Sequence, residues 1–172
     1  MNRNSIIRIA GIVNDSIVDG PGLRMTIFVQ GCPHACEGCH NPHTWDFDGG
    51  KDMTLGEIYD KVMANPLLDG VTFSGGEPFC KAPLLYELGT EIKKSGLSII
   101  TYTGYLYEYL LSHADAENMY RELLQITDIL IDGPFVLSKR DLELRFRGSS
   151  NQRVIYSARS LAEGKLCLYE DT

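Results

Sequence analysis

The amino-acid sequence predicts a single α/β domain folded as an open, incomplete (β/α) barrel. Strands predicted near residues 71, 98 and 128 are separated by single helical patterns, which is the arrangement of βαβ units in a parallel sheet. The chain of 172 residues fits one domain. It is too short for a closed eight-fold barrel, which needs ~250 residues. We therefore expect five or six parallel strands in one domain, residues 1–172, without an interdomain linker.

The first half of the chain supplies the first buried strand and the first helix. An apolar stretch at 6–13 leads into the glycine-rich turn DGPG, and residues 25–29 then have the composition of a fully buried strand. Thr54 and Glu57 form a capping box, which predicts the start of a helix. The apolar stripe of that helix consists of Leu55, Ile58, Tyr59, Val62 and Met63.

The second half alternates strands with helices. Residues 71–73 are predicted to form a short strand, and the helix after it should begin at Pro83 and stop at Gly96. A less regular helical region at about 105–126 is expected to break near His113. The remaining strands are predicted at 98–102, 128–131 and 153–156.

Polar and glycine-containing segments follow four of these strands. They are the cysteine loop after Val29, Gly75-Gly76-Glu77 after Phe73, Thr103-Gly104 after Tyr102, and Asp132-Gly133 after Ile131. The carboxyl ends of parallel strands lie at one face of the sheet, where ligands and catalytic groups gather in α/β folds. We therefore expect the four segments to line one active site.

Composition and charge exclude several function classes. Lys and Arg total 16 against 23 Asp and Glu, a net charge of −7, so nucleic acid is not an expected partner. No run approaches the ~20 apolar residues of a membrane span, and the first residues lack the apolar core of a secretory signal, so we expect a cytoplasmic protein without membrane association. The cysteine count, five, is odd, and three lie close together, which suits a metal loop better than a disulfide framework.

Cys32, Cys36 and Cys39 have C-x3-C-x2-C spacing. An electron-transfer [4Fe–4S] cluster is normally held by four thiolates, so a loop with three leaves one iron free to bind a small molecule. S-adenosylmethionine is the best candidate, because its amino and carboxylate groups can chelate that iron and place its sulfonium beside the cluster. One-electron cleavage to a 5′-deoxyadenosyl radical would follow, with no acid–base catalytic side chain required.

The residues alone leave other sites open. A structural zinc site could combine the three cysteines with His34, His40 or His43, although zinc loops usually bring their ligands as two separated pairs. A four-ligand cluster using a histidine or Cys80 would instead belong to an electron carrier or redox sensor. Binding of S-adenosylmethionine separates these classes. Cys80 and Cys167 are interpreted by default as buried, inert thiols, with the role of Cys80 open.

Several runs resemble a known family. GPGLRMTIFVQGC, continuing through the cysteines to Asn41, resembles the signature of the radical S-adenosylmethionine enzymes that install a glycyl radical on a partner enzyme. TFSGGEPF resembles their GGE motif, and DILIDGPF and RFRGSSNQR resemble the branch that activates anaerobic ribonucleoside-triphosphate reductase. A radical enzyme acting on a small molecule, such as a deazaguanine-forming synthase, shares the cysteine spacing and the GGE pattern but not these last two runs.

The resemblance implies a fold, cofactors and partners. The fold is the open barrel of the radical S-adenosylmethionine type, and the cofactors are S-adenosylmethionine and one [4Fe–4S] cluster ligated by Cys32, Cys36 and Cys39. The partners are anaerobic ribonucleoside-triphosphate reductase, which loses a glycine α-hydrogen, and a flavodoxin-type reductant.

The resemblance also implies which residues contact S-adenosylmethionine. Backbone at the GGE motif would line its methionine end, where a carbonyl or the Glu77 carboxylate could accept the ammonium group, and His40 would pack near the adenine. The full set is Gly38, Cys39, His40, Gly75, Gly76 and Glu77. Arg145, Arg147 and Arg153 are interpreted as a solvated or salt-bridged basic patch, with a contact to the partner protein as the alternative.

Overall fold

The computed structural model describes residues 1–170, in which one mixed sheet of seven strands is accompanied by five α-helices. The strands are β1 (Ile6–Ser16), β2 (Arg24–Val29), β3 (Lys51–Thr54), β4 (Gly70–Gly75), β5 (Ser98–Tyr102), β6 (Ile129–Asp132) and β7 (Arg153–Tyr156). The helices are α1 (Leu55–Met63), α2 (Ala82–Lys93), α3 (Tyr107–Ser112), α4 (Tyr120–Ile126) and α5 (Ser157–Glu163).

The sheet is open, with the strand order β3-β1-β2-β4-β5-β6-β7. Strands β2, β4, β5 and β6 are parallel, which confirms the predicted βαβ arrangement. The expectation of five or six parallel strands is wrong, because β1, β3 and β7 run antiparallel to their neighbours. The turn from β1 to β2 is too short for a parallel crossover, which takes a dozen or more residues.

The helices follow the local sequence signals. The predicted capping box is present, because Thr54 Oγ1 accepts from the Glu57 N–H at 3.1 Å while Glu57 Oε2 accepts from the Thr54 N–H at 2.9 Å. Pro83 lies in the first turn of α2, where its missing N–H costs nothing. The break predicted near His113 falls between α3 and α4. None of the helices in the described range is long and apolar enough to cross a membrane.

The parallel strands bury side chains on both faces of the sheet. The face toward the helices carries the main core, and its strand residues include Met25, Ile27, Val71, Phe73, Ile99 and Leu130. The opposite face carries a smaller cluster of Ile100, Ile129, Ile131 and Val154. Alternation of side chains along each strand assigns neighbouring residues to these two layers. Tyr102 and Phe146 pack against this second layer and also line the cavity of the candidate site.

Arg24 holds the turn between β1 and β2 against this second face. Its side chain is 1% exposed, and the guanidinium donates to Thr72 Oγ1 at 2.8 Å and Ser98 Oγ at 2.9 Å. It also donates to the carbonyl oxygens of Pro21, Val71 and Ser98. Burial lowers the pKa of Arg24 to about 10, which leaves it charged at neutral pH. The turn is thereby fixed at the amino ends of β4 and β5, because Val71 and Ser98 lie at the starts of those strands.

Candidate active site

A cavity of about 550 Å³ opens at the carboxyl ends of the parallel strands. Its volume falls within the range of about 300–1,000 Å³ that is typical of small-molecule and cofactor sites. The strand-end residues that line it are Cys32, Cys36, Cys39, Ser74, Gly75, Gly76, Thr103, Gly104 and Gly133. The prediction that the cysteine loop and the segments after β4, β5 and β6 meet at one site is therefore confirmed.

The cysteine loop presents three thiols to this cavity. Cys32, Cys36 and Cys39 are all partly buried, and the Cys39 N–H donates to the Cys36 carbonyl oxygen at 3.1 Å, which turns the loop between them. Burial raises the pKa of the Cys32 thiol, and the nearby Glu77 carboxylate adds to the effect. Metal binding would have to displace this proton. Within residues 1–170, the His, Cys, Asp and Glu side chains form no group of three or more that is placed to hold a metal ion.

The two glycines of the GGE motif pack on the end of β2 and on the start of the cysteine loop that follows it. A Cβ on Gly75, which has φ +96°, would lie 2.6 Å from Cα of Phe28. A Cβ on Gly76 would overlap the carbonyl oxygen of Gly31. The Glu77 N–H donates to that same carbonyl at 2.8 Å. Glycine is therefore required here for contact with the cluster loop, whereas sequence reasoning assigned the close approach to the cofactor.

Glu77 does not occupy the position that sequence reasoning gave it. The residue is 0% exposed and is absent from the cavity wall. Its Oε1 atom accepts from His34 Nε2 at 2.6 Å and from the Gly104 N–H at 2.8 Å, and its Oε2 atom accepts from the Phe79 N–H at 2.9 Å. The Thr103 hydroxyl also donates to it, at 2.9 Å to Oε1. The expected role as an acceptor for a cofactor ammonium is corrected, because protein donors occupy both oxygens.

The remaining predicted cofactor contacts differ in position. His40 lines the cavity and packs edge-on against Phe135, with 5.3 Å between ring centroids. Gly38 is not part of the wall, and a Cβ there would lie 2.8 Å from the Leu137 side chain. Phe135 and Leu137, in the segment after β6, therefore pack against the cysteine loop at His40 and Gly38.

Two polar groups of the cavity wall were not predicted to contact a cofactor. Trp45 and Arg147 both line the cavity, and Trp45 Nε1 and Arg147 Nε are buried without a hydrogen-bond partner among the described residues. A buried donor left unpaired costs about 1–3 kcal/mol, so both atoms favour a bound acceptor. Arg147 was interpreted as part of a basic patch, and its place in the cavity wall follows only from the folded structure.

The two other cysteines lie outside the cavity wall. Cys80 is an exposed residue, although enough protein surrounds its thiol that burial raises its pKa to about 11, with the Glu77 carboxylate adding to the shift. Cys167 is buried, and its thiol donates to Glu163 Oε2 at 2.9 Å. The interpretation of a buried thiol is confirmed for Cys167 and not for Cys80.

Arg153 is a structural residue rather than a free cation. It pairs with the fully buried Asp132 and with Glu108, and so joins β6 and β7 to α3. The salt-bridged interpretation is confirmed for this arginine.

Comparison with known proteins gives both a family match and close relatives. A family model described as "4Fe-4S single cluster domain" matches residues 18–155. The chain is 36% identical over 146 residues to the anaerobic ribonucleoside-triphosphate reductase-activating protein of Vibrio cholerae serotype O1, over 79% of this chain and 89% of the relative. It is 40% identical over 117 residues to the pyruvate formate-lyase-activating enzyme of Clostridium pasteurianum, over 63% of this chain and 49% of that enzyme.

Among solved structures, QueE from Escherichia coli has a TM-score of 0.45 and 20% sequence identity, over 58% of this chain and 52% of that chain. A likeness of this size does not identify a shared barrel.

Proposed function

This chain belongs to the 4Fe-4S single cluster domain family and to the anaerobic ribonucleoside-triphosphate reductase-activating proteins, and from that premise we propose that it generates a glycyl radical on anaerobic ribonucleoside-triphosphate reductase. It is a radical-activating enzyme that carries an iron–sulfur cluster. The finer parts of the proposal are that S-adenosylmethionine is the second cofactor and that the open sheet is a barrel of the radical S-adenosylmethionine type. One observation supports the cofactor assignment: three thiols of one loop share a cavity with the glycine turns of the neighbouring strands.

The cavity wall supplies three cysteines, the number that a [4Fe–4S] cluster with one open coordination position requires. Cys32, Cys36 and Cys39 would hold the cluster, since they are the cysteines of the described chain that line the cavity. Cys80 and Cys167 lie outside that wall, so no fourth thiolate is supplied there. A cluster that only transfers electrons would normally have a fourth thiolate ligand. This favours a ligand-binding cluster over the electron carrier or redox sensor.

The cavity offers polar groups for a second cofactor beside the thiols. Backbone at Gly75, Gly76 and Gly104 lines the wall without side chains, which allows a ligand to approach the peptide groups closely. The unpaired donors Trp45 Nε1 and Arg147 Nε are available to an anionic or polar group of S-adenosylmethionine. His40 remains our prediction for a residue near the adenine.

Aromatic side chains make much of the cavity wall apolar. Phe28, Tyr102, Phe135 and Phe146 all line it. The Tyr102 hydroxyl donates to the Phe146 carbonyl oxygen at 2.7 Å, and burial raises the Tyr102 pKa, so the phenol keeps its proton. When bound, the cluster and S-adenosylmethionine supply the one-electron chemistry that removes a glycine α-hydrogen. An apolar wall offers few polar groups to hold water beside a reactive radical.

The proposal is tested by electron paramagnetic resonance. Anaerobically reconstituted protein, S-adenosylmethionine, a flavodoxin-type reductant and the reductase are mixed under argon, and we expect a doublet from a glycyl radical. When the reductase is labelled with α-deuterated glycine, the doublet should collapse. This result would assign the doublet splitting to the glycine α-hydrogen. A cluster-loaded preparation that gives no doublet but turns over a small heterocyclic substrate would move the assignment to the synthase alternative.

A further inference from the structure

Glu77 is a buried carboxyl group that is held by hydrogen bonds, one of them to the side chain of His34. It is 0% exposed, and the distance between its Oε1 atom and His34 Nε2 is 2.6 Å. A buried charge is costly unless it is paired and hydrogen-bonded. The other donors to it are the Thr103 hydroxyl and the backbone N–H groups of Phe79 and Gly104. Such a fully satisfied group is a rigid point in the site.

The donors to this carboxylate come from three different strand-end loops. His34 belongs to the loop after β2, Phe79 to the loop after β4, and Thr103 and Gly104 to the loop after β5. These are the loops that also line the cavity. Glu77 therefore fixes three walls of the site relative to one another.

The His34 ring is held by packing as well as by its hydrogen bond. Its side chain is 16% exposed and lies edge-on to Tyr105, with ring centroids 4.4 Å apart and an angle of 75° between the planes. Gly104 leaves space for it, because a Cβ at Gly104 would lie 2.5 Å from the imidazole Cδ2. The ring thus has one defined position.

His34 lies midway between two of the cysteines that we assign to the cluster, Cys32 and Cys36. The next residue, Ala35, has φ +49°, in the left-handed region that residues other than glycine avoid. Such a conformation costs about 1–3 kcal/mol and persists where the surroundings hold it in place. Its direct neighbour His34 is tied to Glu77, and this contact supplies the restraint.

We propose that His34 is a positioning residue: through Glu77 it sets the placement of the cysteine loop against the loops after β4 and β5, and so prepares the cluster site to bind S-adenosylmethionine. The inference rests on the proposed function and adds a residue to it. His34 is not one of the three thiolate ligands, so the variant keeps all three thiols and should still take up a cluster. What changes is the position of that cluster relative to Gly75, Gly76 and Gly104.

The test compares His34→Phe with His43→Phe in the cluster-loaded protein. His34→Phe keeps an aromatic ring beside Tyr105 and removes the bond to Glu77. His43 is an exposed residue that also follows β2. His43→Phe therefore makes the same substitution away from the contacts to Glu77. Iron content, the dissociation constant for S-adenosylmethionine and the change that the cofactor produces in the resonance spectrum of the reduced cluster are measured for each.

We expect His34→Phe to contain as much iron as the wild type, to bind S-adenosylmethionine about tenfold or more weakly, and to show an altered spectral change on binding. His34→Gln, which can again donate to Glu77, should recover part of the affinity, and His43→Phe should match the wild type. Equal affinity and equal spectra in His34→Phe and the wild type would overturn the inference. Loss of iron from His34→Phe would also overturn it, because His34 would then act in holding the cluster itself.

A double-mutant cycle tests whether His34 acts through Glu77. If it does, His34→Phe combined with Glu77→Gln weakens cofactor binding no further than the more severe single variant, whereas additive losses contradict the link. A wild-type protein that holds its cluster but binds no S-adenosylmethionine would refute the proposed function. Wild-type binding with unaffected His34 variants would refute only the positioning role.

Discussion

Gly76 packs so closely on Gly31 that a Cβ at position 76 would overlap the Gly31 carbonyl oxygen and lie 2.9 Å from its carbonyl carbon. Gly31 directly precedes Cys32, and its carbonyl also accepts the Glu77 N–H. The GGE turn and the cysteine loop are therefore one packed unit, and a change in one is transmitted to the other.

Gly76→Ala should therefore lower iron content as well as cofactor affinity. A larger residue at Gly76 would spare the cluster if this glycine contacted only the cofactor, but the overlap lies on the backbone of the cluster loop. Overpacking of this kind costs about 1–3 kcal/mol, which urea unfolding of the iron-free protein can measure. Gly11→Ala is the matched control, because an added Cβ there meets no atom within 4 Å. Full iron content and unchanged binding in Gly76→Ala would contradict this prediction.

Replacing Cys32, Cys36 or Cys39 singly with Ala should abolish the [4Fe–4S] cluster, because each removes one of three thiolates. Iron and sulfide analysis after anaerobic reconstitution measures the loss. Cys80→Ala and Cys167→Ala should keep the wild-type content, since neither residue lines the cavity. The ligand assignment is wrong if Cys80→Ala loses the cluster while the other variants retain it.

Arg24→Met should destabilise the iron-free protein strongly. The substitution leaves buried acceptors on Thr72, Ser98 and nearby carbonyls without their donor, at a cost of about 1–3 kcal/mol or more. The turn before β2 should also loosen, which hydrogen exchange of residues 17–23 would detect. Arg159→Met serves as the control, because Arg159 is an exposed residue of α5 and should leave unfolding unchanged. Equal stability of the two variants would show that the Arg24 network contributes little.

The Cys80 thiol should react slowly with iodoacetamide at neutral pH. The thiolate is the reactive form, and burial with the adjacent Glu77 charge raises the Cys80 pKa to about 11 from an ordinary value of 9.0. The alkylation rate, followed by peptide mass spectrometry of iron-free protein, should therefore keep rising with pH beyond 9. Glu77→Gln removes a negative charge and should shift this rise to lower pH. A rate that levels off below pH 9 would show an unperturbed thiol.

Local signals predicted much of the fold and part of the site. The capping box at Thr54 and the break near His113 depend on residues within a turn or two, and both are present. The strand-end glycine segments were correctly placed at one cavity, because the carboxyl ends of parallel strands must share an edge. The directions of β1 and β7 were missed because a strand pattern carries no information about its partner's orientation.

The sequence by itself determined the chemistry available to this protein: the spacing of Cys32, Cys36 and Cys39 is a local property, and it specifies a three-thiolate loop in any fold that places it after a strand. Only the tertiary structure decided how that loop is held. Glu77 meets His34 across 43 residues and Thr103 across 26, and these contacts exist only after three loops are brought together. A buried carboxylate must find its donors wherever packing places them, so its partners follow from the folded arrangement and not from any motif.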